Sequence, residues 1–78
     1  MSEQKKDIEF LKTFGQRIKE LRKQKGLTQE KLADLTDLVD VDIRRIEAGS
    51  LNTGLTRIKA LADGFGISVS ELFRFKSV

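Results

Sequence analysis

The chain has 78 residues, 35% charged and 38% hydrophobic, with a formal net charge of +3, which makes it one domain near the lower size at which a core folds without staples. It contains no cysteine and no histidine, which excludes disulfides, thiol nucleophiles, zinc-finger ligand sets and the commonest general base, so no metal, cofactor or enzymatic site is expected. No apolar run approaches the roughly 18–20 residues that span a bilayer, and no signal-peptide core opens the chain, so a soluble cytoplasmic protein with no membrane partner is expected.

Proline is absent and all five aromatic residues are phenylalanine. Apolar residues recur every three or four positions, so the fold is expected to be all-α, a single domain over residues 1–78 with its core in 8–75. The first helix is predicted from about Asp7 to Lys25, with Ile8, Leu11, Phe14, Ile18 and Leu21 on one stripe. Met1 to Lys6 and the last two or three residues are expected to be disordered. Gly26 ends the helix as a left-handed cap. Thr28 caps a second helix over Gln29 to Thr36, whose inward face is predicted to be Leu32, Ala33 and Leu35. A third runs from Val39 to Glu47 with Ile43 and Ile46 inward, too short to stand alone. After a loop from Ala48 to Thr53, a fourth spans Gly54 to Phe65 through Leu55, Ile58, Leu61, Ala62 and Phe65, and Gly66 stops it. Ser68-Val69-Ser70-Glu71 has the spacing of a capping box, opening a last helix with Leu72, Phe73 and Phe75.

Two short helices separated by a tight turn pack at a steep angle when a small residue falls at the crossing, and Ala33 suits that position. With Leu38 plugging the turn and Ile43 and Ile46 closing the contact, the 3.6-residue period leaves Asp40, Val41, Arg44 and Arg45 on the outer face of the third helix. These four are the candidates for DNA base contact. The run Gly26-Leu27-Thr28-Gln29-Glu30-Lys31-Leu32-Ala33, followed in register by Ile43, Ile46, Glu47 and Gly49, resembles the XRE family of phage lambda-type repressor and Cro-like helix-turn-helix proteins. The resemblance covers Phe14 to Phe73.

The resemblance implies a five-helix bundle that binds a double-stranded operator as a symmetric dimer in a small prokaryotic or phage regulator, repressor or activator, associated with the nucleoid. It places Gln29 on a DNA phosphate at the start of the second helix. It also implies a structural bridge between Arg22 and Glu47. Ser50, Asn52 and Thr53 fall where the family meets phosphates after the third helix, with Arg57 and Lys59 adding charge nearby.

The sequence departs from that pattern in its charges. Residues 1–31 carry nine basic against five acidic side chains, whereas residues 32–50 carry two against five. Asp40 and Asp42 stand where polar or basic residues are common, and both are repelled by a phosphodiester backbone. Asp40 can accept from a cytosine amino group or, like Asp42, favour the positive end of the helix dipole. Val41 can touch a thymine methyl. Arg44 and Arg45 can each bond two guanine acceptors, or pair with Asp37, Asp40 or Asp42 on a solvated surface. Asp37 occupies a turn position usually held by glycine, which aspartate tolerates.

A single recognition helix reads few base pairs, so two half-sites on a palindromic operator and a homodimer are expected. Leu51, Phe75 and Val78 are the candidates for that contact, with Phe10 off the first-helix stripe as an addition. A phage repressor, a restriction-modification controller and an antitoxin-like autoregulator all fit. The alternative is a protein-interaction module that keeps the fold with weak or lost DNA binding, motivated by Asp40 and Asp42.

Overall fold

The computed structural model describes residues 5–75. Five helices follow one another: α1 (Lys5–Gln24), α2 (Gln29–Thr36), α3 (Asp40–Ala48), α4 (Leu55–Phe65) and α5 (Val69–Leu72). No strand occurs among the described residues, as the helical spacing of the apolar positions requires. α1 starts at Lys5, so Lys5 and Lys6, expected to be disordered, form its first turn.

The core is built from one side of each helix. Phe14, Ile18 and Leu21 of α1, Leu32 and Ala33 of α2, Ile43 and Ile46 of α3, Leu61, Ala62 and Phe65 of α4 and Leu72 of α5 are all buried. Burying a side chain of this size contributes about 1.5–3 kcal/mol, so helices as short as α2 and α5, of eight and four residues, are stabilised by the neighbours they touch. α3 packs chiefly on α1 and α2.

Several caps are those the sequence signals. The Thr28 hydroxyl accepts from the Lys31 amide at 3.1 Å, and the Ser68 hydroxyl accepts from the Glu71 amide at 3.0 Å, which supplies the serine half of the expected capping box. α2 ends on Asp37 in the left-handed region, φ 59° and ψ 27°, with the amides of Asp37 and Leu38 returning to the Ala33 carbonyl. On α4, Lys59 donates to Asp63 at 2.8 Å one turn away, which raises the pKa of its exposed ammonium.

Three predicted core positions face solvent instead. Leu35 is 56% exposed, and Thr36 takes the inward place. The threonine tolerates burial because its hydroxyl donates to the Leu32 carbonyl at 2.7 Å and its methyl fits a space that a Cβ on Gly64 would occupy. Leu55, on the predicted α4 stripe, is 83% exposed because it is the first residue of the helix, beyond the edge of the core. Ile8 is exposed as well, on the part of α1 before the buried run that starts at Phe14. The last helix stops at Leu72, so Phe73 is its C-cap and Phe75 follows it.

Candidate nucleic-acid interface

α3 is nine residues long and has no side-chain cap at Val39, so its orientation depends on what grips its inner face and flanks. Ile43 and Ile46 are wholly buried, 0% and 1% exposed. Near its C-terminal end the helix approaches α1 at Gly15, where an added Cβ would collide with the carbonyl oxygens of Ile46 and Glu47. Only a residue without a side chain lets the two backbones come so close. One turn later Gly49, left-handed at φ 74°, lies where a Cβ would fall 2.7 Å from the Cα of Lys12. Sequence spacing assigned the tight crossing to Ala33, which is buried; the glycine inside α1 was the available signal for the second close approach.

Polar links fix both flanks. Glu47, with its side chain only 4% exposed, accepts from Arg22 Nε at 2.6 Å, Arg22 Nη2 at 3.1 Å and Gln29 Nε2 at 3.0 Å. The remaining Arg22 fork donates to the Leu27 carbonyl at 2.8 Å. One carboxylate therefore ties α1, α2 and α3 together, and a forked pair of this kind holds direction as well as distance. The hydrogen bond to Glu47 raises the Arg22 pKa above its ordinary value, burial opposing and the attraction of the same carboxylate adding. At the other end of α3, Asp42 Oδ2 lies 3.5 Å from Arg57 Nη2 of α4.

The structure brings the four base-contact candidates onto one outward surface: Asp40, Val41, Arg44 and Arg45 are all exposed. Asp42 is turned toward Arg57, so its charge is partly neutralised rather than offered outward. Gln29 remains at the start of α2, and its side-chain amide, expected to meet a phosphate, donates to Glu47 instead. In the loop after α3, Ser50 donates through Oγ to the Arg45 carbonyl at 3.3 Å, Asn52 is exposed, and the Thr53 hydroxyl is turned inward. Arg57 and Lys59, expected to add free charge, are paired with Asp42 and Asp63.

The dimer candidates among the described residues are partly taken up by contacts within the chain. Phe75 packs on Phe10 and Phe14 at centroid separations of 6.0 and 6.4 Å, and Phe73 stacks on Phe14 at 5.1 Å. These rings join the first turns of α1 to the segment after α5. Leu51 is partly buried against the core, and Val78 lies outside the described residues. Arg17, which the sequence reading passed over, donates to the carbonyls of Glu71 and Leu72 at 2.7 and 3.3 Å and so fastens α5 to α1. No helix among the described residues is long and apolar enough to cross a membrane.

A short α2, a left-handed turn and an α3 gripped at its inner face and presenting two arginines outward define a helix-turn-helix DNA-binding domain. Sequence comparison agrees: the chain belongs to the helix-turn-helix family HTH_3 of XRE-type transcriptional regulators, whose profile matches residues 18–72. It is 41% identical over 61 residues to control protein C.MunI of Mycoplasma sp, a match covering 77% of this chain and 82% of that protein. It is 40% identical over 60 residues to the immunity repressor protein of Bacillus phage phi105, covering 77% of this chain but only 42% of the repressor. Among solved structures it is similar to the restriction-modification controller protein C.AhdI from Aeromonas hydrophila, with a TM-score of 0.79 and 44% identity over 81% of this chain and 96% of that one.

Proposed function

We propose that the protein is a small transcriptional regulator of the restriction-modification controller kind, which binds a palindromic operator as a homodimer with α3 in the major groove and has no catalytic role of its own. The observation that carries this reading is the exposed row Asp40, Val41, Arg44 and Arg45 directly above the buried Ile43 and Ile46. An anchored helix with two guanidinium forks that have no partner among the described residues can read guanine acceptors, each good pair discriminating by about 1–3 kcal/mol. The backbone amides at Gln29, together with Ser50, Asn52 and Thr53, supply phosphate contacts on either side, Thr53 through its backbone because its hydroxyl is buried. The likeness to controller proteins, at 41% and 44% identity over most of both chains, supports that role. Such a regulator acts in the cytoplasm.

For the dimer contact we retain Leu51 and Phe75, both partly buried, and add Leu55, whose side chain has no use in the monomer at 83% exposure. Val78 completes the set by sequence alone. Selection of bound duplexes from a randomised pool tests the reading. The expected product is an inverted repeat with half-site centres about 34–36 Å apart, one helical turn. A folded protein that enriches no sequence favours the protein-interaction module.

A further inference from the structure

The arginines at the packed positions of this domain are held very differently. Arg22 makes three hydrogen bonds and its side chain is 11% exposed. Arg17 makes two, to backbone carbonyls. Arg57 has a single contact, 3.5 Å from Asp42, with its side chain 39% exposed, and no hydrogen bond of its guanidinium is found among the described residues. At that separation the pair lies beyond the 2.7–2.9 Å or so of a charge-assisted hydrogen bond. Arg57 also stands in the first turn of α4, a turn with no acidic residue, where a cation is opposed by the helix dipole. Its own helix does not favour it there, and Asp42 offsets that cost from across the α3–α4 junction. The residue is the third of α4, three positions past the loop from Ser50 to Gly54, in which Ser50, Asn52 and Thr53 are read above as meeting phosphates.

We propose that Asp42 is a specificity-determining residue that acts through Arg57. In the free protein it occupies the guanidinium, so that Arg57 contacts a backbone phosphate only by giving up the carboxylate, and affinity for arbitrary duplex is lowered. Carboxylate and phosphate compete for the same fork, and the carboxylate left behind adds its own repulsion to any approaching phosphate. Discrimination then rests more heavily on the base contacts of Arg44 and Arg45, because a backbone contact available on every sequence is held back. The inference rests on the DNA-binding reading proposed above.

Salt titration of binding to a duplex of arbitrary sequence tests it, with wild type, Asp42→Asn, Arg57→Ala and the double variant. Asp42→Asn keeps the size of the side chain and removes its charge. It is expected to raise non-specific affinity about two- to five-fold, the range of an exposed ion pair, and to steepen the slope of log affinity against log salt by about 0.9, one additional phosphate. With Arg57 as alanine the steeper slope should be lost, and the affinity gain should shrink to the smaller part that comes from removing the carboxylate's own repulsion. A slope unchanged by Asp42→Asn, or an increase of the same size with Arg57 absent, overturns the exchange. Wild type showing no salt-dependent binding to any duplex overturns the DNA reading itself, a result distinct from binding that Asp42→Asn leaves unaltered.

Discussion

Replacing Glu47 with alanine probes the joint on which the placement of α3 depends. The carboxylate is 4% exposed and takes three of the hydrogen bonds that link α1, α2 and α3. Its removal leaves the Arg22 guanidinium 11% exposed with the Leu27 carbonyl as its recorded partner, and it strands the Gln29 amide. Breaking a buried pair on one side costs about 3–5 kcal/mol. The surviving bond to Leu27 places this case at the lower end, about 3 kcal/mol. A domain of this size has about 4–12 kcal/mol in total, so roughly a quarter to three quarters of its stability is at stake. With about 4–8 °C lost per kcal/mol, the melting midpoint followed by circular dichroism should fall by about 12–24 °C. Pairing Glu47→Leu with Arg22→Met should recover much of the loss, because the desolvation of both charges disappears with the pair. A cost below about 1 kcal/mol, the range of exposed pairs, refutes the reasoning. The pKa of Arg22 is raised in the fold; its contribution is therefore complete below the unfolded value and lost only in strong alkali. Melting temperatures between about pH 6 and 9 should show no loss from this group.

Two backbone positions give further checks. Gly15→Ala sets a Cβ against the Ile46 and Glu47 carbonyls and should lower the urea midpoint by the equivalent of about 1–3 kcal/mol, despite the better helix propensity of alanine; an unchanged or higher midpoint contradicts the close approach. Asp37→Gly relieves a left-handed residue at φ 59° and should stabilise by about 0.5–1 kcal/mol, less than the full steric cost because glycine is freer in the unfolded chain. A lower melting temperature would contradict that assignment.

The helix starts and stops were legible because they depend on local chemistry. Thr28, Ser68, Gly26, Gly49 and Gly66 act within a turn of where they stand, and the resemblance supplied Arg22 and Glu47 as a pair. Features that depend on which helix lies opposite were not legible. Leu35 and Thr36 are both near the inward direction of a two-turn helix, and Gly64 on α4 decides between them by leaving room for the threonine methyl. Leu55 keeps the period of its helix yet extends past the core. Asp42 and Arg57 are fifteen positions apart on different helices, so the reading that gave Asp42 to the helix dipole or to Arg44 and Arg45 had no means of seeing its partner.

The most direct test of the account is base preference in the Arg44→Ala and Arg45→Ala variants, read from bound duplexes selected against the same random pool as wild type. The outward face of α3 requires that each variant keep its fold and relax preference at its own position in the half-site, by about 1–3 kcal/mol of discrimination where a guanine is read. Unchanged preference in both variants, with wild type selecting a defined site, would place the reading surface elsewhere on the protein.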